Sequence, residues 1–563
     1  MSAFLRAAII LGSLIGLSCA GQVSPSGGPP DKSPPQVFQT YPVPGTLHFR
    51  ENKLRIEFNK YVDRRKFQDA VFISPPVGRL TYDWGGKGVE ISFPDSLRPD
   101  ATYILSIGTD VEDTRGNRLD KTFALAFSTG DHIDSNRISG AVLDPSPEGI
   151  TIFAYRLDGL NPDTLNPSTT RPHYVSQTGS SGTFTLTHLA PGAYRLIAVK
   201  DEYKNFLYDP QTDRFGVLRS DLRFPPGVDS VSGVQFRMTI DDTTRPFLSS
   251  VRAVDIRHVL LRFSEPMDTA GTSIERILIE DTLRQGRLAV SDLSFMDGGS
   301  LDVQLVTADQ ESTMAYRVTL SGWRDRQGNL LAGPNANNVF TGSRLPDTTR
   351  PVFRLPGIAD SMRNFVPGDT IQVLFSEAIL RLPFEHGFQL LDSARKRVAG
   401  RIEWQTSTGA IFDPVNAPAF GEWYTLILPL DSLIDFSGNS RKDSLWHRRF
   451  ETIPSESLGT LKGMVLEDDM NGRGNVHISA SEISRKNVEP YRIVLPRPGS
   501  FVFDHVREGM YVMDAFRDAD SSGEYTYGKP FPFRPSERFT VYPETLKVRA
   551  RWPLEGITLH FQR

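Results

Sequence analysis

The stretch ATYILSIGTDVEDTRGNRLDKTFALAFSTGD, Ala101 to Asp131, decides how the chain is read. Tyr103, Leu105 and Ile107 alternate as one face of a strand. Asp113-Thr114-Arg115-Gly116-Asn117 has the composition of a turn, and Phe123, Leu125 and Phe127 alternate again. This is a β-turn-β unit that would close a small domain. Versions of it return at Tyr316, Val318 and Leu320 before Asp325-Arg326-Gln327-Gly328-Asn329, and at Tyr424, Leu426 and Leu428 before Asp435-Phe436-Ser437-Gly438-Asn439.

Each closing unit is preceded by an opener and a first strand. The openers are Asp31-Lys32-Ser33-Pro34-Pro35, Asp242-Thr243-Thr244-Arg245-Pro246 and Asp347-Thr348-Thr349-Arg350-Pro351. The strands end alike, with Leu54, Ile56 and Phe58 before Asn59-Lys60, Val259, Leu261 and Phe263 before Ser264-Glu265, and Ile371, Val373 and Phe375 before Ser376-Glu377. Period-two alternation between turns buries one face of each strand, which predicts an all-β chain of tandem antiparallel sandwiches. The 46 Gly and 40 Pro agree with that, and no long stretch past the first twenty residues has helical apolar spacing. At 563 residues the chain needs several cores.

The opener, the strand ending in Phe-Ser-Glu and the Tyr strand followed by Asp-x-x-Gly-Asn resemble the bacterial Ig-like domain of the SbsA type. The resemblance implies surface or secreted proteins in which the domain is a structural or binding module. In the first copy Asn59-Lys60 stands where Ser-Glu would, so no role of the Glu carries over to it.

A second pattern occurs twice. Ile138 to Val142, Ile152 to Tyr155, Gly182 to Leu186, Gly192 to Leu196 and Asp201 are matched in order by Leu461 to Val465, Val476 to Ala480, Gly499 to Phe503, Gly509 to Met513 and Asp518. This is similar to the prealbumin-like module found as the regulatory domain of carboxypeptidases, and implies two further, usually non-catalytic sandwiches. The expected order is a signal peptide at 1–19, a Gly/Pro/Ser-rich tether at 20–33, Ig-like domain 1 at 34–134, prealbumin-like module 1 at 135–241, Ig-like domains 2 and 3 at 242–346 and 347–456, and prealbumin-like module 2 at 457–563. As a whole the order resembles multidomain lipoproteins of the Gram-negative envelope.

The apolar run from Ala7 to Leu17 after Arg6 is too short for a permanent membrane span, which takes roughly 20 apolar residues. The single cysteine follows it in Gly16-Leu17-Ser18-Cys19-Ala20, which resembles a lipobox, with Leu17 one place later than usual. Lipidation of Cys19 is therefore expected, with a membrane as partner through the anchor and, by analogy from Ala20, an outer-membrane address. One cysteine allows no internal disulfide. A formal net charge of −4 gives no electrostatic reason for a nucleic-acid partner. Envelope proteins or polysaccharide are the partners expected instead.

No His-Glu-x-x-His helix, Gly-x-Ser-x-Gly elbow or Walker loop is present. The expected function is a non-catalytic scaffold, with no catalytic residue assigned. The alternative is an envelope enzyme or carbohydrate-processing protein with a site between modules. The Asp-x-x-Gly-Asn repeats are expected to be self-sufficient turns, and Glu265 and Glu377 edge or turn charges that discourage sheet pairing. Cofactors are not expected, with one exception to test. Asp518, Asp520, Ser522 and the Glu524 carbonyl have the spacing of the start of an EF-hand loop with Gly523 at its sixth position, while Lys529 stands where a bidentate Glu would close it. Calcium is the ion such a loop would take, and a polar hairpin capped by its own side chains is the reading preferred over it.

Overall fold

The computed structural model describes residues 31–562 apart from 95, 225–226, 270, 285, 297–300, 442–443, 470–471 and 486–487. Cys19 and most of the tether lie outside the described residues. The chain forms two compact units, one of Met1–Tyr208, Phe215–Met238 and Pro530–Pro532, the other of Asp209–Arg214, Thr239–Lys529 and Phe533–Arg563.

Among the described residues there are five hydrophobic cores, each drawn from one continuous stretch of sequence, running from Phe49 to Phe127, Ile138 to Met238, Leu248 to Phe340, Leu355 to Phe450 and Leu461 to Phe561. The alternation that predicted them is literal. In Lys53–Phe58, Leu54, Ile56 and Phe58 are buried while Lys53, Arg55 and Glu57 are exposed. Such a strand contributes one apolar face to a sandwich and leaves the other to water.

The first Ig-like sandwich, in the first unit, has one sheet in the order Val37–Tyr41, Lys53–Phe58, Gly88–Ser92, Thr81–Gly85 and a second in the order Val71–Ser74, Thr102–Ile107, Phe123–Ser128. The second repeats that order with Leu248–Ala253, His258–Phe263, Asp302–Thr307, Val290–Phe295 over Ile277–Asp281, Ala315–Leu320, Asn337–Thr341. The third adds an edge strand, Met362–Phe365, paired parallel with Leu445–Thr452. Among the described residues, helix is confined to short pieces. The two α-helices described, Arg64–Ala70 and Arg381–Gly387, each bury one Phe, Phe67 and Phe384.

The closing units pair in one register. Tyr103 faces Phe127, Tyr316 faces Phe340 and Tyr424 faces Phe450, with rings stacked at 5.7, 5.4 and 5.9 Å. Each Tyr hydroxyl accepts from the amide five residues before it, Arg98 N at 2.8 Å, Glu311 N at 3.0 Å and Ala419 N at 2.8 Å. The phenol thus satisfies a backbone donor where the chain enters its strand.

The other two sandwiches share a second plan. Tyr174–Gln177, Thr151–Arg156 and Ala193–Lys200 are adjacent in one sheet, and Thr183–Leu189, Asn136–Leu143 and Ser230–Arg237 form the other. The last sandwich has Tyr491–Leu495, Asn475–Glu482 and Gly509–Asp518 opposite Ser500–Arg507, Leu458–Glu467 and Pro553–Phe561. In both, the first strand pairs parallel with a late one, Asn136–Leu143 with Ser230–Arg237 and Leu458–Glu467 with Pro553–Phe561. Both also bond a Tyr hydroxyl back four residues, Tyr194 to the Ala190 carbonyl at 2.6 Å and Tyr511 to the Arg507 carbonyl at 3.0 Å.

Candidate functional site

The Asp-x-x-Gly-Asn turns are built identically three times. Asp113 Oδ1 accepts from Arg115 N and Asn117 N, Asp325 Oδ1 from Gln327 N and Asn329 N, and Asp435 Oδ1 from Ser437 N and Asn439 N. Gly116, Gly328 and Gly438 take φ of +85°, +89° and +85°, a region that costs a residue with a Cβ. The Asn side chain then reaches out of the turn. Asn117, Asn329 and Asn439 donate through Nδ2 to the carbonyls of Asp31, Asp242 and Asp347, at 3.0, 2.8 and 3.2 Å.

That bond draws the opener onto the turn and brings their carboxylates together. Each opener Asp also uses Oδ1 to hold the amide two residues on, at Ser33, Thr244 and Thr349. In the first domain Lys60 lies between the acids, with Nζ 2.7 Å from Asp31 Oδ2 and 3.4 Å from Asp113 Oδ2. The other two domains carry Glu at that position. Asp242, Glu265 and Asp325 offer oxygens all within 4.8 Å of one another, and so do Asp347, Glu377 and Asp435.

The third-domain cluster is the more enclosed. Glu377 is 5% exposed, and its Oε1 and Asp347 Oδ2 are buried without a hydrogen-bond partner. Glu377 is therefore no edge charge: it points into the domain end, a position the local Phe-Ser-Glu pattern does not reveal. Burial, and then the charges of Asp435 and Asp347, push its carboxyl up to about 7. Burial and Asp242 and Asp325 move Glu265 in the same direction. Beside the cluster, His258 Nδ1 lies 2.8 Å from Asp255 Oδ2 and 3.8 Å from Asp347 Oδ2. Burial works against the imidazolium, but Asp255 and the neighbouring acids outweigh it and raise the histidine.

The loop after Asp518 is organised differently. Asp518 and Asp520 come together, joined by Glu537 from 17 residues beyond Asp520, which no local spacing predicts. Ser522 turns its hydroxyl to the Glu524 carbonyl at 2.8 Å, and the Glu524 carboxylate lies 3.7 Å from Arg492 Nη1. Every carboxylate oxygen of the group already has a donor. Asp518 accepts from Ser522 N and Gly523 N, Asp520 from Ser522 N and the Thr526 hydroxyl, and Glu537 from Ala519 N and Thr526 N. Asp201 caps its own loop in the same way, accepting from Asn205 N and Phe206 N. The shared geometry is that of a backbone-capping turn.

A cleft of about 300 Å³ in the second unit is lined by Phe295, Phe353, Phe375, Arg326 and Arg354 among others, and no carboxylate is among its described lining residues. It lacks the paired acids that glycoside hydrolysis uses.

Residues 31–129, which span the first sandwich, match the bacterial Ig-like domain family. No curated protein matches the chain. Among solved structures, the chain is similar to the N-terminal part of the bacterial S-layer protein SbsC, at 15% identity over 37% of this chain and 44% of that one, with a TM-score of 0.17. A larger piece of SbsC, domains 1–6, gives 10% identity over 92% of this chain and 67% of that one, with a TM-score of 0.14. An L,D-transpeptidase from Mycobacterium smegmatis gives 13% identity over 37% of this chain and 92% of that one, also at 0.14. The chain spans less than half the length of the first of these, and scores this low support no argument about function.

Proposed function

We propose that the chain is a non-catalytic spacer or binding scaffold of the bacterial cell envelope, anchored to the outer membrane by lipid on Cys19 and bearing two prealbumin-like modules among three Ig-like domains. The observation that carries this reading is the closure of five separate cores in sequence order, the first of them an Ig-like domain by family. A row of closed sandwiches supplies length and surface, and neither requires a reaction centre. The cleft lined by Phe295, Phe353 and Phe375 has no carboxylate among its described lining residues, so it offers no glycosidase pair. Envelope proteins or polysaccharide are the partners that fit.

A fatty-acid probe incorporated in cells tests the anchor. Cys19→Ser should abolish labelling and release the chain from the membrane fraction, because stable attachment needs the acyl chains together. Labelling that persists in the variant rejects lipidation at this residue. Crosslinking of the mature chain in whole envelopes, compared with its separated domains, tests the scaffold role. Recovery of the same partners by one isolated domain would reject a role for the full row.

A further inference from the structure

We propose that Asp347, Glu377 and Asp435 together bind a divalent cation of the calcium type. Three carboxylates converge within 4.8 Å at the end of the third Ig-like domain, and two of their oxygens, Glu377 Oε1 and Asp347 Oδ2, are buried with no hydrogen-bond donor. Buried carboxylate oxygens without partners are costly, and adjacent like charges add to the cost. The surroundings relieve it only in part. His258 is committed to Asp255 at 2.8 Å and stands 3.8 Å from Asp347, and the Asp435 oxygens already hold the turn.

The first domain shows what such a place accepts. There the opener Asp and the turn Asp keep the same backbone bonds, and the positive charge between them is covalently supplied as the Lys60 ammonium. Where Lys is replaced by Glu377, the covalent cation is lost and a third oxygen ligand is gained. An all-oxygen, carboxylate-rich set selects a hard cation. Calcium tolerates irregular coordination and can complete its shell with water, whereas magnesium demands near-octahedral geometry. Because Asp347 also groups with Asp255 and His258 of the second Ig-like domain, the ion would fix the opener where those two domains join.

This rests on the geometry alone and is independent of lipidation. The test is calcium titration calorimetry on the chelator-stripped full chain at pH 7.5, beside Glu377→Gln and Glu377→Lys. Both variants should take up one equivalent fewer than the parent, and Glu377→Lys should lose the calcium-dependent rise in melting temperature of this domain. Equal stoichiometry in parent and variants overturns the proposal. Should neither variant fold, crystals of the unaltered chain grown in calcium decide: an ion about 2.3–2.6 Å from the three carboxylates supports the site. A protonated Glu377 bonded directly to a neighbouring acid, with no ion, overturns it.

Discussion

Lys60 Nζ sits 2.7 Å from Asp31 Oδ2, and this contact ties the opener of the first Ig-like domain to the strand that ends at Phe58. It also leans on Asp113 at 3.4 Å, so one ammonium serves the opener and the closing turn together. Lys60→Glu replaces two attractions with two repulsions in a partly screened place. The first domain should melt at a lower temperature in chelator, by a modest amount because the Asp31 side of the pair is exposed and screened. Calcium should restore part of the difference, and an unchanged melt in chelator would show that the pair contributes nothing.

Glu377 makes the third domain sensitive to pH. Its folded carboxyl is raised from 4.5 to about 7, so the folded state holds its proton more tightly than the unfolded chain. Its contribution to stability is complete below about pH 4.5 and is lost as the pH rises through about 7. In chelator the domain should be more stable at pH 5 than at pH 8, by on the order of 3 kcal/mol from this group. Glu377→Gln cannot titrate, and the difference between the two chains isolates the effect. Parallel pH curves for both would remove Glu377 as the cause.

Tyr424→Phe deletes the hydroxyl that accepts from Ala419 N while keeping the ring on Phe450. A backbone donor left unsatisfied costs about 1–3 kcal/mol, and the expected loss is at the lower end because water can reach a partly buried amide. Denaturant unfolding gives the magnitude. Faster hydrogen exchange at Ala419, with no change at Phe450, gives the mechanism.

Asp520→Ala removes two caps from the loop of the last sandwich, the Ser522 amide and the Thr526 hydroxyl. About 1 kcal/mol should be lost equally in calcium and in chelator if the loop is a self-capped turn. A loss seen only in calcium would instead make Asp518, Asp520 and Glu537 metal ligands.

How legible all this was depends on the distance over which each feature is encoded. The strands through Leu54, Ile56 and Phe58, and the turns at Asp113, Asp325 and Asp435, are local patterns, and alternation and turn chemistry are enough to place them. Glu377 reads locally as a charge at a strand end. Its burial depends on Asp347, 30 residues earlier, and Asp435, 58 residues later, and the Asn439 bond that docks one on the other has no sequence period. Glu537 was hidden for the same reason, since it enters the Asp518 loop from a different strand approach. The three Tyr residues were visible as strand markers, but their hydroxyl bonds, each to a loop amide five residues back, follow only from the bend of the entering chain.

The parallel pairing of the first strand with a late strand in two of the sandwiches has a mechanical consequence. Asn136–Leu143 lies beside Ser230–Arg237, and Leu458–Glu467 beside Pro553–Phe561, each pair running in one direction. The two ends of such a module leave from opposite poles. Tension applied through the chain therefore slides one strand along the other, and the ladder bonds, which run across the strands, are loaded all at once instead of being peeled singly. Rupture under force is governed by the unfolding barrier, so these modules should resist stretching more than a sandwich whose end strands peel apart. Single-molecule extension would show them as high force peaks, and a protein tethered at one end and gripped at the other would keep them folded under load.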